Sequence, residues 1–177
     1  MQVLNMDEIE IPPESRIVVD PATEAARGAA LRILNSTPRS RASLQDRLLE
    51  RGHDLDVVAP LLDRFVEVGL LNDRELASAI VRARFTERGK SRMAIGQELA
   101  RKGFDQDAIE GALAQIEPDD ELDTVRALAR KRLAKDVRGT REDRIRRALG
   151  HLGRKGYGQG LAMRAITEAL ADQVGLI

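Results

Sequence analysis

The sequence predicts an all-α fold, with three tandem three-helix-bundle repeats in an elongated array. Ala, Leu, Arg and Glu dominate its 177 residues, and these are strong helix formers. Segments rich in β-branched and aromatic residues and bounded by turns are nearly absent; the chain has three Phe, one Tyr and no Trp. One helix-stop-helix junction is also written three times, about fifty residues apart, the signature of a repeat array.

The junction is plainest in "ELARKGFDQDAI", Glu98 to Ile109. Gly103 can take the left-handed conformation that ends a helix, which brings the side chain after it, Phe104, back onto Leu99. Arg101 and Lys102 put positive charge at the negative end of the helix dipole, worth about 0.3–1 kcal/mol each when exposed. Asp105 can then cap the next helix. In "RLLERGHDLDVV" the same roles fall to Leu48, Arg51, Gly52, His53 and Asp54. In "HLGRKGYGQGLA" they fall to Leu152, Lys155, Gly156 and Tyr157, with Gly158 as a weaker cap. The stop glycines are 51 and 53 residues apart.

Taken in order, helices are expected at 21–36, 40–51 and 55–68, then 73–88, 91–102 and 105–116, then 119–136, 140–154 and 159–173. The first opens on Asp20 with Pro21 at N1, a favoured pair. Pro60 lies in the first turns of the third and predicts a late start or a bend. Asn72 and Glu75 are spaced as a capping box for the fourth. Ser91 can cap the fifth, and "PDD" at 118–120 supplies carboxylates to the start of the seventh. The repeats are therefore expected at 21–71, 72–118 and 119–173, with grooves between them. One nine-helix globule is the competing layout. Residues 1–20 read as an acidic, mobile tail, although "RIVVD" at 16–20 could pair as a short strand.

The composition excludes several classes. There is no Cys, hence no disulfide framework or thiolate chemistry. No run of eighteen apolar residues reads as a membrane span, and the N-terminus lacks the order of a signal peptide, so a cytoplasmic protein is expected. The net charge is zero but unevenly spread. Residues 1–21 carry one basic and five acidic residues, 22–121 carry 15 and 18, and 122–177 carry 13 and 6. The basic last third suggests contact with a polyanion or an acidic protein face.

Catalytic patterns are weak. His53 occupies the packing slot after the stop glycine, and His151 lies among arginines with no Ser, Cys or carboxylate arrangement. No His pair has metal-ligand spacing. "GRKGYGQG" at 153–160 lacks the strand and the G-K-[ST] of a phosphate loop. "EPDDELD" at 117–123 lacks the ligand alternation of a calcium loop. No enzyme, cofactor or metal is expected.

The basic residues say more. The stretch from Val81 to Arg92 carries Arg82, Arg84, Arg88, Lys90 and Arg92. On the seventh helix Arg126 and Arg130 share one face, Lys131, Arg132 and Lys135 lie beside it, and Val125, Leu128, Ala129 and Leu133 form the opposite stripe. Arg144, Arg147, Arg154 and Lys155 follow on the next. Such rows can neutralise phosphates or pair with carboxylates on a partner. Stacking platforms for bases are absent, because the few aromatics are committed to packing. Base reading by a helix-turn-helix is disfavoured by the acidic and apolar residues after each glycine.

"GLLNDRELA" at 69–77, then R-x-R-x-x-x-R-G-K-S-R at 82–92, then "ELARKG" at 98–103 resembles the RecX family, over roughly residues 25–173. Leu76 stands where that family commonly has an aromatic. The resemblance implies a non-enzymatic negative regulator of RecA recombinase, in homologous recombination, DNA repair and the SOS response. It implies a monomer that lies in the groove of the RecA–DNA filament and inhibits ATP hydrolysis and strand exchange, with the basic residues above touching RecA, single-stranded DNA or both. The alternative is a stand-alone nucleic-acid-binding helical repeat protein using the same arginines.

Overall fold

The computed structural model describes residues 20–136 and 138–174. Within them lie nine α-helices: α1 (Pro21–Ser36), α2 (Arg41–Leu49), α3 (Leu55–Glu67), α4 (Asp73–Arg82), α5 (Arg92–Arg101), α6 (Gln106–Leu113), α7 (Pro118–Lys135), α8 (Arg141–Arg154) and α9 (Gln159–Val174). The expected acidic tail, and the strand considered at "RIVV", lie outside the described residues.

All three stop glycines take positive φ: 85° at Gly52, 78° at Gly103 and 90° at Gly156. At each, two hydrogen bonds close the helix. Phe104 N–H donates to the Leu99 carbonyl (3.2 Å) and Gly103 N–H to Ala100 (3.0 Å). His53 with Leu48 and Tyr157 with Leu152 repeat the longer bond at 3.1 and 3.2 Å. These are Schellman endings, which satisfy carbonyls the helix leaves open. Gly69 ends α3 in the same way, with Leu70 N–H on the Phe65 carbonyl at 2.8 Å.

The helix starts follow their caps, with three differences. Asp20, Ser40, Asn72, Ser91, Asp105 and Thr140 each accept a backbone N–H of the first turn. Asp54 sits at the N-cap of α3 without making that bond. Asn72 caps Glu75 N–H, but the Glu75 carboxylate returns to the Asn72 side-chain amide at 3.3 Å, not to its backbone. Helix α3 starts at Leu55 and continues through Pro60, so the late start does not occur. The predicted helix 73–88 is interrupted by a π-helical turn, Ala83–Glu87. That turn ends where Lys90 N–H reaches back to the Arg84 carbonyl (3.1 Å), beside Gly89 at φ 56°.

The buried side chains form three clusters, one from each set of three consecutive helices. Leu44, Leu48, Val58 and Leu62 lie in the first, Ala77, Val81, Ile95 and Leu99 in the second, and Val125, Leu133, Leu152 and Ile166 in the third. Extensive helix packing stays within each set. The sets are joined instead by a repeated hydrogen-bonded joint. Ser40 caps α2 and donates to the Lys102 carbonyl beyond α5 at 2.6 Å. Ser91 caps α5 and donates to the Gly156 carbonyl beyond α8 at 2.7 Å. Both serines are buried. Each joint also takes a carboxylate from the following set: Asp73 accepts Arg41 N–H at 2.9 Å, and Glu121 accepts Arg92 N–H at 2.8 Å. Burial pushes the Asp73 carboxyl above its ordinary value; the Arg41 N–H pulls the other way, and nearby Asp105 adds to the push.

Helix α8 starts differently: a carboxylate of its own first turn takes the N-cap N–H, not the next one. Thr140 caps α8 in a reciprocal box with Asp143, at 3.2 and 3.4 Å. The corresponding third residues of α2 and α5 are Ser43 and Ala94, which offer no carboxylate.

Ser91→Ala removes the α5 cap, worth about 1 kcal/mol, and the bond to Gly156, worth about 1 kcal/mol more. The expected loss of about 2 kcal/mol corresponds to a fall in Tm of about 6 °C for a chain of this size. Thermal unfolding followed by circular dichroism measures it. Asp20→Ala, at an exposed cap with no second set to hold, should cost no more than about half as much.

Candidate interaction surfaces

The basic residues of the second and third sets are largely engaged within the chain. Arg84, which the π turn carries, donates to both carboxylate oxygens of Glu98 at 2.9 and 3.1 Å, and Lys90 reaches the same carboxylate at 2.9 Å. The Glu98 side chain is only 13% exposed. The Arg84 guanidinium first, and Lys90 with it, hold its carboxyl at about 2, against the opposing effect of burial.

On α7, Arg126 and Arg130 do share a face, as their spacing predicts, but it faces α9. Arg126 donates to Glu168 at 2.6 Å and lies 3.4 Å from Asp123. Arg130 pairs with Asp172 at 2.9 Å. Two basic residues four apart thus meet two acidic residues four apart. Arg147 donates to both oxygens of Asp136 at 2.5 and 2.9 Å, and Arg132 reaches that carboxylate at 3.3 Å. The bond from Arg147 leads the causes that hold Asp136 below the usual carboxylate range. Arg144 donates to the Leu133 carbonyl at 3.2 Å.

Others serve the joint between the second and third sets. Lys155 donates to the Arg88 carbonyl across it, and Arg92, whose N–H meets Glu121 there, sends its side chain to the Ile116 carbonyl of its own set at 3.2 Å. Tyr157, buried after the stop glycine, donates its hydroxyl to the Gly89 carbonyl at 3.1 Å. Burial pushes that phenol well above its ordinary value, with Glu121 adding to the effect. Among the described residues, Arg82, Arg88, Lys131, Lys135 and Arg154 are exposed and make no ion pair. His151 sits among cations: burial first, then Lys155, Arg132 and Arg154, push its pKa down, so it favours the neutral form.

Beside the second joint lies a cleft of about 660 Å³, lined by Met93, Gln97, Ile109, Leu113, Tyr157 and Leu161 among others. Among the described residues no group of His, Cys, Asp and Glu could hold a metal ion, and no helix is long and apolar enough to cross a membrane.

One cationic surface escaped the sequence reading. Arg32 of α1, Arg39 of the α1–α2 connection, and Arg47 and Arg51 of the end of α2 line a hollow of about 320 Å³, together with Ile33 and Ser36. No acidic residue lines it. Averaging charge over residues 22–121 concealed it. Residues 25–49 alone carry five basic residues and one acidic, and that shorter window is the signal that would have found it.

Two family descriptions match the chain: RecX, first three-helix domain, over residues 26–65, and RecX, second three-helix domain, over residues 72–113. The regulatory protein RecX of Thermobifida fusca is 39% identical over 159 residues, covering 90% of this chain and 86% of its own. That of Mycolicibacterium smegmatis is 37% identical over 167 residues, covering 91% and 89%. The crystal structure of RecX from Lactobacillus salivarius superposes with a TM-score of 0.72 at 22% identity, covering 84% of this chain and 96% of that one. A second crystal structure of a regulatory protein RecX gives 0.68 at 22% identity, covering 83% and 72%. With relatives of this identity aligned along most of both chains, and with helical cores where the two domain descriptions fall, the chain belongs to the RecX family of regulatory proteins.

Proposed function

We propose that this protein is a non-catalytic negative regulator of RecA recombinase, which binds as a monomer in the groove of the RecA–DNA filament and inhibits ATP hydrolysis and strand exchange. Family membership supports a regulatory role. The observation that carries the finer reading is the division of the core into three three-helix clusters linked by polar joints. Units bounded near residues 71 and 118 can each dock on a successive filament subunit, and the joints hold their spacing. A binder that spans adjacent subunits resists the rearrangement between them that hydrolysis requires.

The surface for that contact is the set of cations left unpaired. Lys131 and Lys135 are four apart on α7 and exposed, so they present one face to a partner. Arg126 and Arg130 are poor probes of it, because reversing them would also break the α7–α9 pairs.

The test is RecA ATPase on single-stranded DNA with this protein titrated in. Inhibition well below one molecule per RecA is expected. Lys131→Glu/Lys135→Glu should raise the concentration for half-inhibition about tenfold, at about 0.7 kcal/mol for each reversed charge, with helicity unchanged. Absence of inhibition by the wild-type protein, alongside tight salt-sensitive binding to bare DNA, would sink the regulatory reading in favour of a stand-alone nucleic-acid binder.

A further inference from the structure

We propose that the hollow lined by Arg32, Ser36, Arg39, Arg47 and Arg51 is a phosphate-binding site, occupied by backbone phosphates of single-stranded nucleic acid. The site stands on its own geometry and does not depend on the RecA reading.

Its contrast with the rest of the molecule is the starting point. Arg84, Lys90, Arg126, Arg130, Arg132 and Arg147 each lie within ion-pairing distance of an internal carboxylate. The four arginines of the hollow have no such partner among the described residues, although they converge on one space. The Nε of Arg39 is buried without a hydrogen-bond partner. A buried donor left unsatisfied costs about 1–3 kcal/mol, so the fold holds the Arg39 guanidinium at this place against a standing cost.

Local structure explains why cations can gather there. Arg47 lies in the last turn of α2 and Arg51 directly follows its cap, Glu50. That helix end carries partial negative charge and favours cations, which offsets part of the repulsion between these two; Arg32 lies before the last turn of α1, and Arg39 precedes the N-cap of α2. Four planar donor forks also suit the tetrahedral oxygens of phosphate better than a single point charge would.

The size and surroundings favour a chain of phosphates. At about 320 Å³ the hollow has roughly the volume of ten liquid waters, more than one phosphate fills. Arg32, Arg47 and Arg51 are exposed, so the site is a channel wall and not a closed cage. No aromatic side chain lines it, which removes base stacking and leaves the backbone as the part recognised.

The experiment uses the full chain and a fluorescein-labelled oligo(dT), with no RecA present, so that failure here is separable from failure of the regulatory reading. Anisotropy is followed across a series of salt concentrations for the wild type, for Arg39→Gln/Arg47→Gln/Arg51→Gln, and for the exposed pair Arg47→Gln/Arg51→Gln, which safeguards against misfolding of the triple variant. Each arginine removed from a phosphate should lower the salt slope by about 0.7 and weaken binding about fivefold near 0.1 M salt. A folded variant with wild-type affinity and slope would overturn the site. In a second arm, thermal unfolding is followed with inorganic phosphate. Stabilisation by phosphate that the pair variant no longer shows, with oligo(dT) binding unaltered, would overturn the nucleic-acid assignment in favour of a free phosphate ligand.

Discussion

Gly156→Ala is expected to cost about 3 kcal/mol and to lower Tm by about 10 °C. Two independent effects add. The backbone sits at φ 90°, where a side chain costs about 1–2 kcal/mol. A Cβ built there would also lie 2.3 Å from the Ala94 Cβ and 2.7 Å from the Ser91 Oγ. Neither neighbour is the tip of a flexible chain, so the joint must open, at a further cost of about 1–3 kcal/mol. Gly52→Ala is the control. Its φ of 85° is similar, but nothing lies within 4 Å of the added carbon. That variant should lose only the conformational part, about 1–2 kcal/mol. Equal losses in the two variants would show that the second joint does not press on Gly156 in solution.

Glu98→Gln should destabilise by about 2–3 kcal/mol at neutral pH and remove most of a specific acid sensitivity. In the folded protein Arg84 and Lys90 hold the Glu98 carboxyl at about 2, against an ordinary value of 4.5. A depressed folded pKa contributes stability that is complete above the unfolded value and is lost as pH falls through the folded one. The window is therefore about pH 4.5 down to 2. Urea unfolding at about pH 7, 4.5 and 3 tests this. The wild type should lose stability across the window faster than Glu98→Gln, so that the two curves converge at low pH. Curves that stay parallel would place the source of acid sensitivity elsewhere. Glu98→Ala should be worse at neutral pH, by about 3–5 kcal/mol in all, because it leaves Arg84 half-buried with no acceptor.

How much of this was legible beforehand depended on whether the physics was local. The glycine stops and most caps involve residues no more than five apart, so a short window contains both partners. Leu99, Gly103 and Phe104 carry their geometry in their spacing. The π turn did not show, because Phe85 and Arg84 fit a continuous helix as well as a widened one; only their partners in the second core and Glu98 decide it. Arg126 and Arg130 share one face of α7, as their spacing predicts, and that face meets α9. Arg126 and Arg130 occur 42 residues from Glu168 and Asp172, and spacing on one helix carries no information about what lies opposite. Ser91 was legible as a cap but not as a joint, since Gly156 lies 65 residues away. The hollow at Arg39 was hidden by arithmetic over too long a stretch.

The carboxylate that each joint takes from the following set has a consequence for how this architecture can lengthen. Ser40 and Ser91 each leave a helix start that the next set completes, through Asp73 and Glu121. In α8 the carboxylate is Asp143 of the same helix, and it takes the N-cap N–H of Thr140, one residue before the N–H that Asp73 and Glu121 take. A duplicated middle segment inserted ahead of the last one would find compatible ends on both sides, so the joints favour growth of the array from within.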